Sequence, residues 1–583
     1  MMRRRELLKY LGATGLAYDP AMQALASLAG AAASSASGSP IAGRIFLNQV
    51  GYLPRGQKLA TILTASNSAS VSWFRVRSLA KGAVVLEGKV GPGRQDAASG
   101  DTVGLADFSA AAAPGSYRIE IDGAESDPFL IAPDAYAAAL RLTMRAFYGQ
   151  RCGCDVDLGQ GYKHPRCHVG GEYHRSSGKI GRVDNHGGWH DAGDYGRYVV
   201  NSGISTGTLL WAWELYPRVL RGLGLGIPES GGKTPDFLAE VRWNLEWMLS
   251  LQDVDGGVWH KQTSENFCAF IMPQDDHLTS YVIGTGSAPY KSTCATADLA
   301  SVMAIAARCY GEFDAEFAQR CLMAARRAWS WATANPGVVF RNPAGVRTGD
   351  YGDAHCGDEV LWASAELWRT TGELVYERAF IAGLPVGSID LKTPSFSNLM
   401  PMACWTYALS SRAGSGDVKA RIVDATLRAG SFLAAQAAAN GYGNTLAAGD
   451  YVWGSNGTAG NQSLLLLVAN HFQPDARMFE TALGNLHYIL GRNCHGVSWV
   501  TGLGVRPFQH PHHRPSAADG IDAPWPGLVS GGPNGGAGDD VARALPKMPP
   551  MRRWVDDQRA YSLNEVAINW NAPLVFLLAA ANS

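Results

Sequence analysis

Two acidic residues lie three positions apart in a glycine-rich segment. The segment, Gly187-Gly188-Trp189-His190-Asp191-Ala192-Gly193-Asp194-Tyr195-Gly196, precedes an apolar stretch that begins at Val199. Small residues let backbone and ligand approach closely, and the i, i+3 spacing within a turn can point both carboxylates the same way. Such a pair could hold a water molecule and take its proton. An isolated pair at this spacing often caps a helix or belongs to a calcium loop, but the ten residues that surround this pair make the signal strong.

A single glutamate stands among apolar and amide residues close to the other end of the chain. Glu565 lies within Tyr561-Ser562-Leu563-Asn564-Glu565-Val566-Ala567-Ile568-Asn569-Trp570-Asn571. Apolar surroundings favour the neutral form of a carboxyl group, so its pKa rises and it can donate a proton near neutral pH. Taken alone, Glu565 could equally be an acid in the first turn of a helix.

A third segment combines an aromatic, glycine-rich loop with histidines and arginines. It reads Ser498-Trp499-Val500-Thr501-Gly502-Leu503-Gly504-Val505-Arg506, followed by His510-Pro511-His512-His513-Arg514-Pro515-Ser516. Histidine and arginine can donate hydrogen bonds to sugar hydroxyls and orient a carboxylate. Adjacent histidines in an extended chain point apart, which argues against a metal site here.

These three segments together resemble glycoside hydrolase family nine, and they follow one another in the family's order. The resemblance is carried by the D-A-G-D loop, the G-x-G-x-R…P-H-x-R run and the N-E-V-A-I-N-W-N-A-P end. Asn48-Gln49-Val50-Gly51-Tyr52-Leu53-Pro54 likewise resembles the start of the immunoglobulin-like module that precedes many of these catalytic domains. The resemblance implies a mainly α fold, with an (α/α)6 barrel behind a small β-sandwich. It also implies an inverting endoglucanase that cleaves β-1,4-glucosidic bonds in cellulose-type glucans.

The same resemblance assigns roles to individual residues. Asp194 matches the family's catalytic base, Asp191 the acid that helps to hold the water, and Glu565 the proton donor. In an inverting enzyme the acid and base carboxyl groups stand roughly 6.5–9.5 Å apart, which leaves room for that water. His512 and Arg514 fall on substrate-contacting positions. Three further residues are cleft aromatics in this interpretation, although each could instead belong to the core: Tyr195, Trp453 and Tyr561.

Two cysteines and two histidines form a candidate zinc site. Cysteine thiolates and histidine imidazoles in a four-ligand set suit tetrahedral zinc. The spacing alone is loose, but family members with a similar H-P-x-C-H segment pair it with the histidine of the G-W-H-D-A-G-D loop, which favours Cys152, Cys167, His168 and His190. Cys154 and His186 are rival ligands. A closed site of this kind would be structural, and through His190 it would hold the loop that bears the base.

A calcium site is a second, weaker expectation of the resemblance. Many relatives bind calcium in a stretch that here reads Asp350-Tyr351-Gly352-Asp353-Ala354-His355-Cys356-Gly357-Asp358-Glu359. Histidine and cysteine are poor ligands for a hard cation, so the sequence departs from the pattern. Asp353, Asp358 and Glu359 could still serve as ligands.

The composition and hydrophobic periodicity of the chain predict the domains that hold these segments in place. The chain has 583 residues, which suits a small domain plus a large one. We expect an export signal of twin-arginine type and a low-complexity segment over 1–40, with Arg4-Arg5 as the pair. An immunoglobulin-like β-sandwich is predicted over 41–132 and the catalytic barrel over 133–583.

Local patterns predict seven strands and about a dozen helices. The strands are 44–50, 59–64, 71–78, 83–90, 102–108, 117–121 and 128–131. Helical spacing is clearest in 136–148, 235–251, 296–310, 315–332, 359–371, 418–437 and 566–581. The long Gly/Pro/Asp loops between the helices carry the chemically important residues, as functional loops do.

The formal net charge of −1 gives no basic field for nucleic acid or an anionic membrane. We therefore expect an exported, periplasmic or secreted monomer whose partner is a β-glucan polymer or oligosaccharide. Two other functions are compatible with the motifs. An exo-acting relative of β-glucosidase or exo-glucosaminidase type could keep the same acids behind a blocked cleft, and a non-catalytic glycan-binding protein would have no need of a base and an acid.

Overall fold

The computed structural model describes residues 44–64 and 72–583. The predicted export segment 1–40 lies outside these residues, as does Val71, the first residue of one predicted strand. No helix of the described part is long and apolar enough to cross a membrane.

Ten strands form a β-sandwich at the start of the described chain. One sheet has the order β1-β3-β7-β6, and the other has the order β2-β10-β8-β4-β5 with β9 paired to β8. Inward side chains alternate along β8, where Tyr117, Ile119 and Ile121 are buried, and they meet a core that includes Phe108 and Phe129. The strands are β1 (Ile45–Phe46), β2 (Gly51–Tyr52), β3 (Leu59–Leu63), β4 (Trp73–Ser78), β5 (Val84–Lys89), β6 (Arg94–Gln95), β7 (Thr102–Asp107), β8 (Gly115–Ile121), β9 (Ala124–Glu125) and β10 (Phe129–Ile131).

The first predicted strand is wrong in extent, because the chain turns at Asn48. The Asn48 carboxamide oxygen accepts hydrogen bonds from the backbone N–H groups of Val50 (2.9 Å) and Gly51 (3.2 Å), which closes a turn around a single side chain. The predicted strand 44–50 therefore shrinks to β1, and the chain resumes as β2 in the opposite sheet.

The rest of the chain is rich in helices, twelve of which have ten residues or more within the described residues. The predicted helical segments are present, with ends that differ by at most three residues. The long helices are α1 (Ala137–Gly149), α2 (Val199–Leu215), α4 (Asp236–Ser250), α5 (Thr293–Tyr310), α6 (Ala315–Ala334), α7 (Gly357–Thr371), α8 (Leu374–Gly383), α9 (Met400–Leu409), α10 (Gly416–Ala439), α11 (Ser455–Phe472), α12 (Ala476–Ile489) and α16 (Ile568–Ala581). The short ones are α3 (Pro217–Leu220), α13 (Arg514–Ala518), α14 (Asp540–Ala544) and α15 (Tyr561–Asn564).

Six of the long helices pack against one another in sequence. Helix α2 contacts α5, α5 contacts α7, and α7 contacts α9; α11 contacts α16, which returns to α2. Helices α2, α5, α11 and α16 are buried along almost their whole length, whereas α6, α10 and α12 keep an exposed face. The inner helices therefore alternate in sequence with the outer ones, and the loops at one end of the inner group carry the candidate site.

A five-stranded sheet among these loops was not predicted. Its order is β14-β13-β17-β16-β15, and β15 continues directly into α2. The strands are two or three residues long, so they carry no readable alternation. They are β13 (Gly171–Tyr173), β14 (Arg182–Val183), β15 (Arg197–Tyr198), β16 (Lys261–Thr263) and β17 (Tyr281–Ile283), and a separate pair is formed by β11 (Val156–Asp157) and β12 (Lys163–His164).

Candidate active site

Asp191 is buried at the end of the glycine-rich loop. It is 1% exposed, and its carboxylate accepts hydrogen bonds from Asn201 Nδ2 (2.6 Å) and from the Tyr351 hydroxyl (2.6 Å). Burial, followed by the charge of Asp194, raises the pKa of Asp191 to about 7, while the two hydrogen bonds act in the opposite direction. Asp191 therefore changes its charge close to neutral pH.

Asp194 presents one carboxylate oxygen to the protein and leaves the other for a ligand. Its Oδ2 accepts hydrogen bonds from the Gly196 N–H (3.0 Å) and the Tyr198 hydroxyl (3.3 Å). No partner within the described residues bonds to Oδ1. The neighbouring Gly193 cannot be replaced, because a Cβ there would lie 1.8 Å from the carbonyl oxygen of His512.

Glu565 lies in a segment that is bonded to the same loop, because the Ile568 N–H donates to the Asp191 carbonyl oxygen at 2.9 Å. It ends helix α15 in an extended conformation and forms a backbone bridge with His512. Burial first, then the charges of Asp194 and Asp191, raise the pKa of Glu565 well above its usual range. Asp191 and Asp194 are therefore close enough to Glu565 for their charges to act on it, and the three acids, two from one loop and one from far along the chain, form one site.

His512 and Arg514 frame this site through the backbone. The Arg514 guanidinium donates to the carbonyl oxygens of Gly193 (2.7 Å) and Cys268 (3.1 Å), so it holds the loop of Asp194 rather than pairing with a carboxylate. His512 Nδ1 lies 2.7 Å from the carbonyl oxygen of Gln558, which fixes the imidazole ring at the edge of the site.

A row of aromatic rings extends from His512. The Tyr561 ring lies 5.7 Å from the His512 ring and 5.4 Å from the Trp453 ring, and Trp453 is 47% exposed. On the other side, the Phe270 ring lies 4.9 Å from His512. Exposed aromatic faces of this kind suit the apolar faces of sugar rings. Phe270 was missed by sequence analysis, because its segment carries no motif.

Tyr195 is placed differently from the other predicted cleft aromatics. It is 8% exposed, its hydroxyl donates to the carbonyl oxygen of Ile271, and its ring packs on the rings of His190 (4.8 Å) and His168 (5.3 Å). Tyr195 thus supports the predicted metal ligands from the side of the base.

The four predicted zinc ligands converge, and in the described part of the chain they are the one group of at least three His, Cys, Asp or Glu side chains that does so closely. The ligand atoms of Cys152, Cys167, His168 and His190 all lie within 4.8 Å of one another. His168 Nε2 lies 3.3 Å from the Asp276 carboxylate, while His168 Nδ1 is buried without a hydrogen-bond partner. A histidine with one nitrogen on a carboxylate and the other turned into a sulfur-nitrogen cluster has the geometry of a metal ligand.

The two rival ligands lie outside this cluster. The pKa of the Cys154 thiol is raised by burial to about 12, and the nearest charges are those of Arg151 and Glu240. His186 pairs with exposed Asp184 at 3.6 Å. Neither residue belongs to the group of converging ligands.

The stretch expected to bind calcium is the site of a buried acidic cluster. Glu359 and Asp298 are both 0% exposed, and neither carboxylate has a hydrogen-bond partner. Burial and the neighbouring acids Asp358 and Asp353 raise the pKa of Asp298 well above its usual range. Asp298 was missed because it lies in helix α5, far from the other acids in sequence. Cys356 stands just before helix α7, which contains Glu359, and it forms a disulfide with Cys294. The sequence alone did not decide whether disulfides are present.

Comparison with known proteins identifies the family. Residues 136–578 match the model of glycosyl hydrolase family 9, and residues 41–126 match that of the cellulase N-terminal ig-like domain. The chain belongs to glycosyl hydrolase family 9. It is a glycoside hydrolase of cellulase type, with a helix-rich catalytic region behind an immunoglobulin-like domain.

Similar proteins match over nearly their whole length. Endoglucanase D of Acetivibrio thermocellus is 36% identical over 92% of this chain and 83% of its own. A cellodextrinase of Butyrivibrio fibrisolvens is 33% identical over 92% of this chain and 99% of its own. Among solved structures, a thermostable endoglucanase from Alicyclobacillus acidocaldarius superposes with a TM-score of 0.84 at 34% identity, over 93% of this chain and 100% of that one.

Proposed function

We propose that the chain hydrolyses internal β-1,4-glucosidic bonds of cellulose-type glucans with inversion of the anomeric centre. The observation that supports the proposal is that the Glu565 segment is bonded to the loop of Asp191 and Asp194, and that burial and both acids raise the pKa of Glu565. In the proposed reaction Glu565 keeps its proton well above the usual range of a carboxyl group and supplies the acid, while Asp194 supplies the base.

The chemistry is a single displacement. A water molecule held by Asp191 and the free Oδ1 of Asp194 attacks the anomeric carbon and gives its proton to Asp194. At the same time Glu565 protonates the leaving glycosidic oxygen, so the bond breaks without a covalent sugar intermediate. Exchange with solvent then removes the proton from Asp194 and restores the one on Glu565. The ring row of Phe270, His512 and the aromatics beyond it holds the glucan chain across these acids.

The test separates the two roles. Asp194→Asn and Glu565→Gln should each lose most turnover and stay folded, whereas Asp540→Asn, an exposed acid on α14 with a 97% exposed side chain, should keep it. Azide is a nucleophile that needs no base, so added azide should restore turnover of Asp194→Ala and yield an α-glycosyl azide. Azide cannot replace the acid, so it should not restore turnover of Glu565→Gln. Near-normal turnover in either the Asn or the Gln variant would remove the assignment.

The anomer of the first product tests inversion. Fresh product from a β-linked glucan should appear as the α-anomer in proton NMR before mutarotation, whereas initial β-anomer would mean a double displacement. A product profile on β-glucan polymers and cello-oligosaccharides distinguishes internal cleavage from release of end units, the exo-acting alternative.

The packing of the long helices supports an (α/α)6 barrel. Six inner helices, α2, α5, α7, α9, α11 and α16, alternate along the chain with six outer ones, and contacts run from α2 through α9 and from α11 back to α2. Helix α10 bridges the remaining gap, because it contacts both α9 and α11. The catalytic loops then share one end of the barrel.

Zinc is the metal that fits the ligand cluster. Two thiolates and two imidazoles within 4.8 Å match its preferred tetrahedral set, and the buried, unpartnered Nδ1 of His168 supplies one ligand. With four protein ligands a bound zinc would have no open position, so its contribution is to hold the loop rather than to activate water. His190 would anchor the loop one residue before Asp191.

Calcium is the cation proposed for the acidic cluster of Asp298, Asp353, Asp358 and Glu359. The carboxylates of Asp298 and Glu359 are buried without hydrogen-bond partners, which is costly unless a cation or a proton neutralises them, and calcium prefers carboxylate oxygens. The cluster connects α5 to the start of α7, so a bound ion would stabilise the fold rather than take part in hydrolysis.

Residues 1–40 are proposed to direct export by the twin-arginine route. Replacing the pair by Arg4→Lys and Arg5→Lys should keep the protein inside the cell, and continued export of that variant would reject the proposal.

A further inference from the structure

A buried tyrosine and a buried lysine lie opposite each other where the sheet meets helix α2. Tyr198 on β15 is paired with Lys261 on β16, and they are 1% and 0% exposed. The Lys261 ammonium lies 5.5 Å from the centre of the Tyr198 ring. Neither residue belongs to the motifs that define the site, and the hydrolysis described above gives neither a role.

Lys261 binds a separate loop to this sheet. Its Nζ donates to Asn342 Oδ1 (2.7 Å), to the carbonyl oxygen of Gly349 (2.7 Å) and to the Thr348 hydroxyl (3.1 Å). A buried ammonium group has three protons to place, and here all the acceptors belong to residues 342–349. The lysine therefore holds the loop of residues 342–349 against the sheet.

The fixed loop in turn orients the Tyr198 hydroxyl. The Gly349 N–H donates to that hydroxyl oxygen at 3.1 Å, and the hydroxyl donates to Asp194 Oδ2 at 3.3 Å. A phenol has a single proton, so a donor on its oxygen turns that proton toward the carboxylate. Together with the Gly196 N–H at 3.0 Å, this bond occupies Oδ2 and leaves Oδ1 to accept the proton of water.

We propose that Tyr198 is a positioning residue for the base Asp194, and that Lys261 acts through it by holding Gly349 against the Tyr198 hydroxyl. The proposal rests on the function proposed above, in which Asp194 is the base. Both side chains are buried, so we expect their loss to lower the rate of the chemical step and to leave substrate binding unchanged.

Two substitutions with matched controls test it. Tyr198→Phe and Lys261→Met should each lower kcat by roughly tenfold to a hundredfold, the change expected for one hydrogen bond to a charged group, with KM unchanged. Tyr310→Phe removes a buried hydroxyl that donates to Leu238, and Lys58→Met removes a buried ammonium that donates to carbonyl oxygens of the sandwich. Both controls should keep the normal kcat at a similar cost in Tm.

The double variant tests the connection between the two residues. If Lys261 acts through Tyr198, Tyr198→Phe combined with Lys261→Met should lose no more activity than Tyr198→Phe alone. Losses that multiply would overturn the role of Lys261, and a Tyr198→Phe enzyme as active as Tyr310→Phe would overturn the whole inference. If Lys261→Met does not fold, Lys261→Gln, which keeps a donor, takes its place in the cycle.

Failure of this inference is distinct from failure of the proposed function. Asp194→Asn with normal turnover would remove the base itself. An inactive Asp194→Asn combined with a fully active Tyr198→Phe would leave the base in place and reject only its positioning by Tyr198.

Discussion

Replacing Tyr351 by phenylalanine should move the acid side of the pH-activity profile. The Tyr351 hydroxyl donates to Asp191 at 2.6 Å, and this bond lowers a pKa that burial and Asp194 raise to about 7. A hydrogen bond to a charged group contributes about 1.5–3 kcal/mol, and 1.36 kcal/mol corresponds to one pH unit, so the acid limb should move up by about one to two units. The direction follows because Asp191 must be ionised to hold the water, and losing a donor favours its protonated form.

The assay is kcat/KM against pH on a soluble chromogenic cello-oligosaccharide, because that ratio reports ionisations of the free enzyme, the state described here. About one pH unit below the normal limb, Tyr351→Phe should lose roughly tenfold to a hundredfold in kcat/KM, and most of the loss should disappear at higher pH. Tyr310→Phe should leave the limb in place. A Tyr351→Phe profile that is lowered equally at every pH would refute the reasoning.

Three further predictions concern the metals and the support of the loop. Cys167→Ser should lose zinc, measured by metal analysis, and lower Tm by on the order of 10 °C, whereas Cys154→Ser should keep both; equal metal content would reject the cluster. Added calcium should raise Tm more at pH 8 than at pH 5. Burial raises the pKa values of Asp298 and Glu359, so the ion-free fold loses stability as pH rises, while the ionised carboxylates formed at higher pH bind calcium. Asp298→Asn should remove the effect of calcium on Tm. Arg151→Met should lower the free energy of unfolding, measured by urea denaturation, by about 3–5 kcal/mol, because it leaves buried Glu240 without this ion-pair partner. Arg221→Met, which breaks an exposed ion pair, should lower it by less than about 1 kcal/mol.

The helices and the β-sandwich could be predicted from sequence because their buried residues recur at a regular spacing. Buried faces recur at helical spacing in segments such as 235–251, which the structure shows as α4 (Asp236–Ser250). The sheet β13–β17 was not accessible, because strands of two or three residues carry no repeat. One consequence is that Tyr198 and Lys261, 63 positions apart, become neighbours only through a pairing that no local pattern signals.

The residues of the candidate site were likewise only partly predictable from the sequence. Asp191, Asp194 and Glu565 stand in motifs that are dense enough to recognise, whereas their hydrogen-bond partners come from segments without motifs. Tyr351 lies inside the stretch that sequence analysis assigned to calcium, yet its hydroxyl bonds to Asp191. The charge of a site can therefore be predicted from its acids, but its pKa values depend on partners that only the fold brings together.

A single displacement needs a fixed distance between acid and base, and one side chain links the segments that carry them. Gln150, at the end of α1, donates through Nε2 to the carbonyl oxygens of His190 (3.1 Å) and Ala192 (2.9 Å), on either side of Asp191. Its Oε1 lies 3.0 Å from His513 Nε2, next to the residue that bridges to Glu565. The amide therefore joins the loop of Asp191 to the segment that pairs with Glu565, and a zinc bound at the proposed cluster would hold the same loop at His190. Because a water must fit between the two carboxyl groups, this link would set the space that distinguishes inversion from retention.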